Sequence, residues 1–312
     1  MTVLVGTDLS DSSFVAVRAA AALASLTGDD LEILYALESG DADAFWRRFV
    51  STPWEDPTAL KKAARRRLGE HLDEDLADDF EDLTLKTEVV LDRADDALTQ
   101  RAQDDDVRLL VVGKTGRSTF TQALLGSTAE NVIRSAAVPV WAVPPDVDPA
   151  DIRHVLAPID LSQASRDNLE EAARWAQIFD AELTVLHSLS PPASGLNPGE
   201  VEVPSGDLDR YRYEGRLRLT EFVLETLGED HGADLTLTMR SPFSAIVETA
   251  DEVDADLVVM ATHGRRGLTR LLMGSTVTKV LRRMDRSLLT VRPQKTGPLK
   301  PSDPETQQES TS

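Results

Sequence analysis

Short runs of aliphatic and β-branched residues recur along the chain, separated by stretches in which apolar positions return every three or four residues. The runs predict strands at Val3–Thr7, Leu31–Leu37, Leu83–Leu91, Val107–Val112 and Val138–Val143, then at His154–Ile159, Ala181–Leu189, Leu235–Met239, Leu257–Met260 and Leu288–Val291. The stretches between them predict helices, for example over Phe14–Leu26, Thr58–Leu76, Asp207–Leu227 and Ile246–Asp251. Runs such as LLVV and LVVM are apolar without alternation, the mark of strands covered on both faces. Strands alternating with helices in this way predict an α/β fold with parallel sheets and right-handed crossovers.

The pattern is duplicated. VLVGTDLSDSS from Val3 returns as VLAPIDLSQAS from Val155, an offset of 152, and the block Leu109–Val143 returns as Leu257–Val291, an offset of 148. Two blocks that keep both order and distance point to a repeated domain of about 150 residues. The predicted limits are 1–147 and 148–293, with turn-forming PPDVDPAD at the junction and a polar, proline-punctuated tail over 294–312 expected to be disordered. Pro191–Gly206, rich in Pro, Gly and Ser, reads as a long loop of the second domain.

Charge changes the picture. Asp and Glu number 54 against 33 Lys and Arg, a net −21, with 33 Asp but only 7 Lys. Such self-repulsion opposes compaction at low salt and is largely screened near 1 M, where the Debye length is ~3 Å. The composition therefore suggests a salt-rich, halophilic cytoplasm. It argues against nucleic acid or an anionic membrane as partner, because no basic run is long enough to neutralise several phosphates. No signal peptide or stretch of ~18 unbroken apolar residues is seen. Cys is absent, which excludes disulfides, thiolate nucleophiles and Cys-ligated metals.

The candidate chemistry sits after the fourth strand of each repeat. Gly113, Gly116, Gly126 and Ser127 form a G-2x-G-9x-G-S frame, repeated as Ala261, Gly264, Gly274 and Ser275. A glycine-rich turn leaving a parallel strand lets main-chain N–H groups approach a phosphate, and Gly-Ser opening a helix presents unpaired N–H groups and a dipole that favour an anion. Asp8 and Asp160 end the first strands and face the same crevice. They suit ribose hydroxyls or a magnesium ion, and equally the N-cap of the next helix.

With these motifs the chain resembles a tandem universal stress protein, most closely in PID and MATHGRRGLTRLLMGS of the second repeat. The resemblance implies two open five-stranded parallel sheets in the order 3-2-1-4-5, an adenine-nucleotide α-hydrolase-like fold, and ATP as ligand wherever the glycine frame is complete. It places adenosine near Asp8, Ala36, Val112 and Gly113, and phosphates on Gly116, Gly126, Ser127 and Thr128. In the second repeat it places adenosine near Pro158, Asp160, Ser188, Met260 and Ala261, and phosphates on His263, Gly264, Gly274, Ser275 and Thr276. Fifth strands pair between subunits in the family, which implies an intrachain pseudo-dimer that can associate again as a homodimer. The departures are Gly6 for the usual Pro, Lys114-Thr115 for Ser/Thr-His, and Ala261 for the first Gly.

Other chemistry finds less support. The five His show no metal-ligand spacing, and P-loop and G-x-G-x-x-G motifs are absent. A Ser162, His187, Asp160 triad can be drawn, but without a G-x-S-x-G elbow. Arg117, Arg265, Arg266 and Arg270 suit either terminal phosphates or a solvated face, and Trp46 and Trp54 either cover the crevice or pack locally. The sequence assigns no general base and therefore no fast catalysis. The readings are a nucleotide-dependent regulatory module with an unknown protein partner, a nucleotide-free scaffold, and a slow ATPase or adenylating enzyme.

Overall fold

The structure, a computed structural model, describes residues 1–38, 57–75, 83–115, 125–146, 151–189, 205–262 and 274–292. The chain divides into two compact units, Met1–Asp151 and Ile152–Pro293. The described strands of unit 1 are β1 (Thr2–Thr7), β2 (Asp30–Ala36), β3 (Leu85–Val90), β4 (Val107–Gly113) and β5 (Val140–Val143). Its described helices are α1 (Asp11–Thr27), α2 (Pro57–Asp75), α3 (Ala94–Arg101) and α4 (Ser127–Ser135). Unit 2 repeats the plan with β6 (His154–Ile159), β7 (Glu182–Ser188), β8 (Asp234–Thr238), β9 (Leu257–Ala261) and β10 (Ser287–Val291). Its helices are α5 (Gln163–Phe179), α6 (Ser205–Leu227), α7 (Pro242–Glu252) and α8 (Ser275–Arg283).

Within unit 1 every pairing is parallel and the order is β3-β2-β1-β4-β5. Unit 2 has the same order, β8-β7-β6-β9-β10. This is the expected 3-2-1-4-5 sheet in each half. Central β1 is buried on both faces through Val3, Leu4 and Val5, whereas the outer strands β3 and β8 are only partly covered. Helix α1 packs against β1 and β4 with a surface rich in alanine, small enough for close approach and favourable for helix. It stops at Gly28 in the left-handed conformation (φ 66°), and α5 stops at Asp180 in the same way (φ 52°).

Sequence and structure differ at element ends. The loop expected to run through Gly206 gives way to helix at Ser205, where α6 begins. The expected tail and most of the expected 191–206 loop lie outside the described residues, as do Trp46 and Trp54.

Two neighbouring central strands whose connections leave in opposite directions open a crevice at their carboxyl ends. Here they are β1 with β4 and β6 with β9. Registered pairs run to Val5 and Val111 in the first unit, and to Leu156 and Val258 in the second. Beyond these points the strands feed the loops that carry the candidate residues.

Candidate functional site

The first wall of each crevice is the turn after the first strand. Asp8 is half-buried, and its Oδ1 accepts from the Ser10 main-chain N–H at 3.1 Å and from the Ser10 hydroxyl. Asp160 Oδ1 accepts from the Ser162 N–H at 3.1 Å and the Ser165 hydroxyl at 2.7 Å. The helix N-caps are Ser10 and Ser162, each accepting from the N–H three residues on. Simple capping by the aspartates is therefore corrected: they brace the caps from two residues upstream. Between aspartate and cap lie Leu9 (φ 61°) and Leu161 (φ 59°), both left-handed and neither a glycine. Such backbone is strained for leucine and is kept at the same point in both halves.

The second wall is the exit of the fourth strand. Lys114 donates its N–H to Val143 O at 2.7 Å, and its own carbonyl accepts from Gly126 N at 2.9 Å. Thr262 repeats both contacts, donating to Val291 O at 3.1 Å and accepting from Gly274 N at 3.0 Å. Gly126 and Gly274 are thereby latched beside the strand ends as N-caps of α4 and α8, and neither helix start has a side-chain cap. Helices α1, α5 and α7, by contrast, are each capped by a serine. The first N–H groups of α4 and α8, on Ser127, Thr128, Ser275 and Thr276, are those a glycine cap leaves for a ligand. Helix α8 also has no acid in its first turn and two arginines in its last.

Gly113 closes the floor of the first crevice. A Cβ there would meet Thr115 O at 3.3 Å and Ser12 O at 3.4 Å, and Ser12 itself donates to Thr115 O at 3.3 Å. The glycine serves close packing, since neither Gly113 nor Ala261 has positive φ among the described residues. The methyl of Ala261 therefore carries no backbone penalty. Ala36 and Ser188 end β2 and β7, while Val112 and Met260 are buried beside the strand ends. Pro158 sits half-buried in β6 opposite Leu186. Gly6 stands where unit 2 has Pro158, and Leu98 packs on it, its Cδ1 2.7 Å from where a Cβ would stand.

In unit 2 a cavity of about 380 Å³ opens beside the turn. Leu161 and Ser188 line it together with His187 from β7 and Tyr211, Gly215 and Arg218 from α6. Tyr211, Gly215 and Arg218 stand at helical spacing on one face, and Gly215 lets the helix close on Leu189, whose Cδ1 would lie 2.6 Å from an added Cβ. Sequence reading missed Tyr211 and Arg218. The available signal was Gly215, a glycine inside a long helical pattern.

The same geometry, built twice, accompanies a double match to one family. The model of the Universal stress protein family matches residues 1–144 and again 151–292. The chain belongs to the universal stress protein family. A universal stress protein from Mycolicibacterium smegmatis is 27% identical over 301 residues, covering 93% of this chain and 97% of that protein. Universal stress protein A homolog 1 from Coxiella burnetii is 33% identical over 138 residues, 41% of this chain and 88% of that protein. The crystal structure of a universal stress protein from Archaeoglobus fulgidus shares the fold, with a TM-score of 0.62 at 20% identity, covering 93% of this chain and 98% of that one.

Of the residues that the universal stress protein resemblance singled out, Gly116, His263 and Gly264 lie outside the described residues, as do Arg117, Arg265, Arg266 and Arg270. The remainder gather at the carboxyl ends of their own unit's strands. Lys114, one of the departures from the family pattern, is buried to 6% exposure. The drawn triad does not assemble as a relay: His187 Nδ1 faces Ile159 O at 2.9 Å, and Ser162 caps α5. Among the described residues no group of three or more His, Asp or Glu comes together to hold a metal. No helix among them is long and apolar enough to cross a membrane.

Proposed function

We propose that this universal stress protein binds ATP in each half and acts as a nucleotide-dependent stress-response module in a salt-rich cytoplasm. The observation that carries the reading is the repeated pair of glycine-capped helix starts, latched to the exit of the fourth strand and lacking the serine caps found on α1, α5 and α7. A triphosphate supplies the acceptor oxygens that these N–H groups lack. In this reading Asp8, Ala36, Val112 and Gly113 border adenosine in the first half, with phosphates toward Gly116, Gly126, Ser127 and Thr128. Pro158, Asp160, Ser188, Met260 and Ala261 border it in the second, with phosphates toward His263, Gly264, Gly274, Ser275 and Thr276.

Magnesium fits as a companion of the nucleotide. Asp8 or Asp160 would supply one carboxylate, and phosphate oxygens and water the remaining positions, as is usual for this ion. The ion would neutralise phosphate charge beside an acidic chain. The protein's own part is to bind and orient: the braced aspartate fixes one end of the ligand and the helix start the other.

Protein purified in molar KCl, then denatured, is expected to release an adenine nucleotide. The paired variant Gly126→Val and Gly274→Val adds a side chain at both helix starts, where a Cβ at Gly274 meets Thr262 O at 3.5 Å, and circular dichroism checks that it keeps its fold. Its affinity for Mg-ATP is expected to fall at least ~10-fold by calorimetric titration, a loss of about 1.4 kcal/mol. No released nucleotide together with no binding on titration overturns the proposal and leaves a nucleotide-free scaffold. With a net charge of −21, the melting temperature is also expected to rise as KCl is raised toward ~1 M, where self-repulsion is screened. A flat or falling curve removes the salt-rich habitat from the reading.

A further inference from the structure

Helix α2 carries a charge pattern that its contacts among the described residues do not account for. Leu60, Ala64, Leu68 and Leu72 bury one face at four-residue spacing. The outward face presents Lys62, Arg66, Glu70 and Asp73, all exposed, in the order plus, plus, minus, minus. A helix macrodipole favours the reverse, and α2 has neither an acid in its first turn nor a base in its last. The pairs within the helix, Arg66 to Glu70 at 3.7 Å and Arg67 to Glu70 at 3.4 Å, also run with the base on the N-terminal side, the weaker orientation. Lys61, Lys62 and Arg65 make no ion pair among the described residues. Yet this seven-residue stretch, 61–67, holds Lys61, Lys62, Arg65, Arg66 and Arg67 in a chain of net charge −21, a basic run that the exclusion of polyanions from overall composition passed over.

A second observation lies on the same face. Gly69 sits inside the helix, where glycine is unfavourable relative to alanine. A Cβ added there would meet nothing within 4 Å among the described residues, whose packing does not ask for glycine.

We infer that this face of α2 is a contact between two copies of the chain, with α2 antiparallel to α2 across a two-fold axis. Such an axis requires that a residue meeting its counterpart is met in return. With the axis beside residues 67 and 68, Lys62 meets the partner's Asp73 and Arg66 meets the partner's Glu70, each pair formed twice. The spacings agree, since Lys62 and Arg66 lie ~6 Å apart along the axis and Glu70 and Asp73 ~4.5 Å. Gly69 lets the two backbones approach, and the antiparallel setting opposes the two macrodipoles. A surface built only for a foreign anion would have no use for the two acids in the same stripe. The contact is reversible and weak, because exposed ion pairs contribute little each. It stands whether or not the crevices hold nucleotide.

The test is sedimentation of the full chain over a concentration series at ~0.1 M salt, where the Debye length of ~10 Å leaves close ion pairs unscreened. A monomer–dimer equilibrium is expected. Lys62→Glu with Arg66→Glu, and separately Glu70→Arg with Asp73→Lys, should each weaken association at least ~10-fold. An equimolar mixture of these two variants should associate again, because each then offers the charges the other lacks. Gly69→Leu, whose added Cβ meets nothing within 4 Å among the described residues, should weaken association without lowering helicity or the melting temperature, since leucine favours helix over glycine. A wild-type chain that stays monomeric, variants that associate as the wild type does, or a mixture that fails to recover overturns the inference.

Discussion

In the first half, the amino end of the sheet is closed by charge. Buried Glu32 receives Arg101 at 3.0 and 2.8 Å and Lys86 at 2.9 Å, and Arg101 reaches on to Asp106 at 2.7 Å. In the second half, Thr184 and Thr249 stand at the positions of Glu32 and Arg101, and both are buried. There His154 Nε2 meets the Thr184 hydroxyl at 2.8 Å, and Asp256 accepts the main-chain N–H groups of Arg153 and His154. At the carboxyl end the two halves agree instead, down to the Gly126 and Gly274 latches of 2.9 and 3.0 Å. The duplicated fold tolerates different ways of satisfying its amino end, while the crevice end repeats one set of main-chain contacts.

A smaller contrast lies between these ends. Unit 1 has Gly6 and Ala16 where unit 2 has Pro158 and Asn168. Fully buried Asn168 donates to Val259 O at 3.0 Å and Pro158 O at 3.4 Å, spanning the point where β6 and β9 part. Proline brings no N–H to a sheet, and the asparagine amide contributes donors from the helix side. Glycine in unit 1 comes with an alanine that donates nothing. Each half is thus consistent within itself, and exchanging one member alone should be costly.

The largest effect is expected from Arg101→Ala. It leaves Glu32 buried with Lys86 alone and should destabilise unit 1 by about 3 kcal/mol, read by hydrogen exchange of unit 1 peptides, with unit 2 unchanged. The same network predicts acid sensitivity. Hydrogen bonding from Arg101 holds the Asp106 carboxyl at about 2. Burial alone would raise Glu32, but hydrogen bonds and charge from Arg101 and Lys86 bring it below its ordinary value. Carboxyls lowered in this way stabilise the fold above their unfolded values near ~4 and lose that contribution as pH falls toward ~2. Unit 1 protection should decline over that window, and Arg101→Ala should flatten the decline. An unaltered slope in the variant would place the acid response elsewhere.

Next in size, Asn168→Ala should weaken unit 2 by about 2 kcal/mol by removing its hydrogen bonds to Val259 O and Pro158 O and opening a cavity. A loss confined to unit 2 peptides sharpens the contrast, and no loss dissolves it. The smallest effect is expected of Gly113→Ala, which copies unit 2 into unit 1. Thr115 and Ser12 need yield only a few tenths of an ångström, so the melting temperature should shift by less than the equivalent of ~1 kcal/mol. A larger loss would show that the two floors are shaped differently.

Much of this was legible in the residues. Apolar runs marked all ten described strands to within a few positions; the central strands, covered on both faces, leave no alternation to confuse, and the partly covered β3 and β8 were still bounded by polar stretches. The repeated Gly126-Ser127 and Gly274-Ser275 marked the helix starts. The role of Asp8 was not decidable, since DLS-D lets either Asp8 or Ser10 cap, and only the backbone shows that Ser10 does so. Tyr211, Arg218 and Asn168 were invisible for another reason: each acts across a helix-to-strand contact that no local spacing encodes.

Leu9 and Leu161 carry a consequence for how such crevices vary. A left-handed leucine costs roughly 1–2 kcal/mol that glycine would spare, yet Leu161 also forms part of the boundary of the unit 2 cavity. Glycine would relax the bend and remove that hydrocarbon surface in the same stroke. The turn thus couples shape to tension, so drift toward an easier backbone would hollow out that side of the cavity.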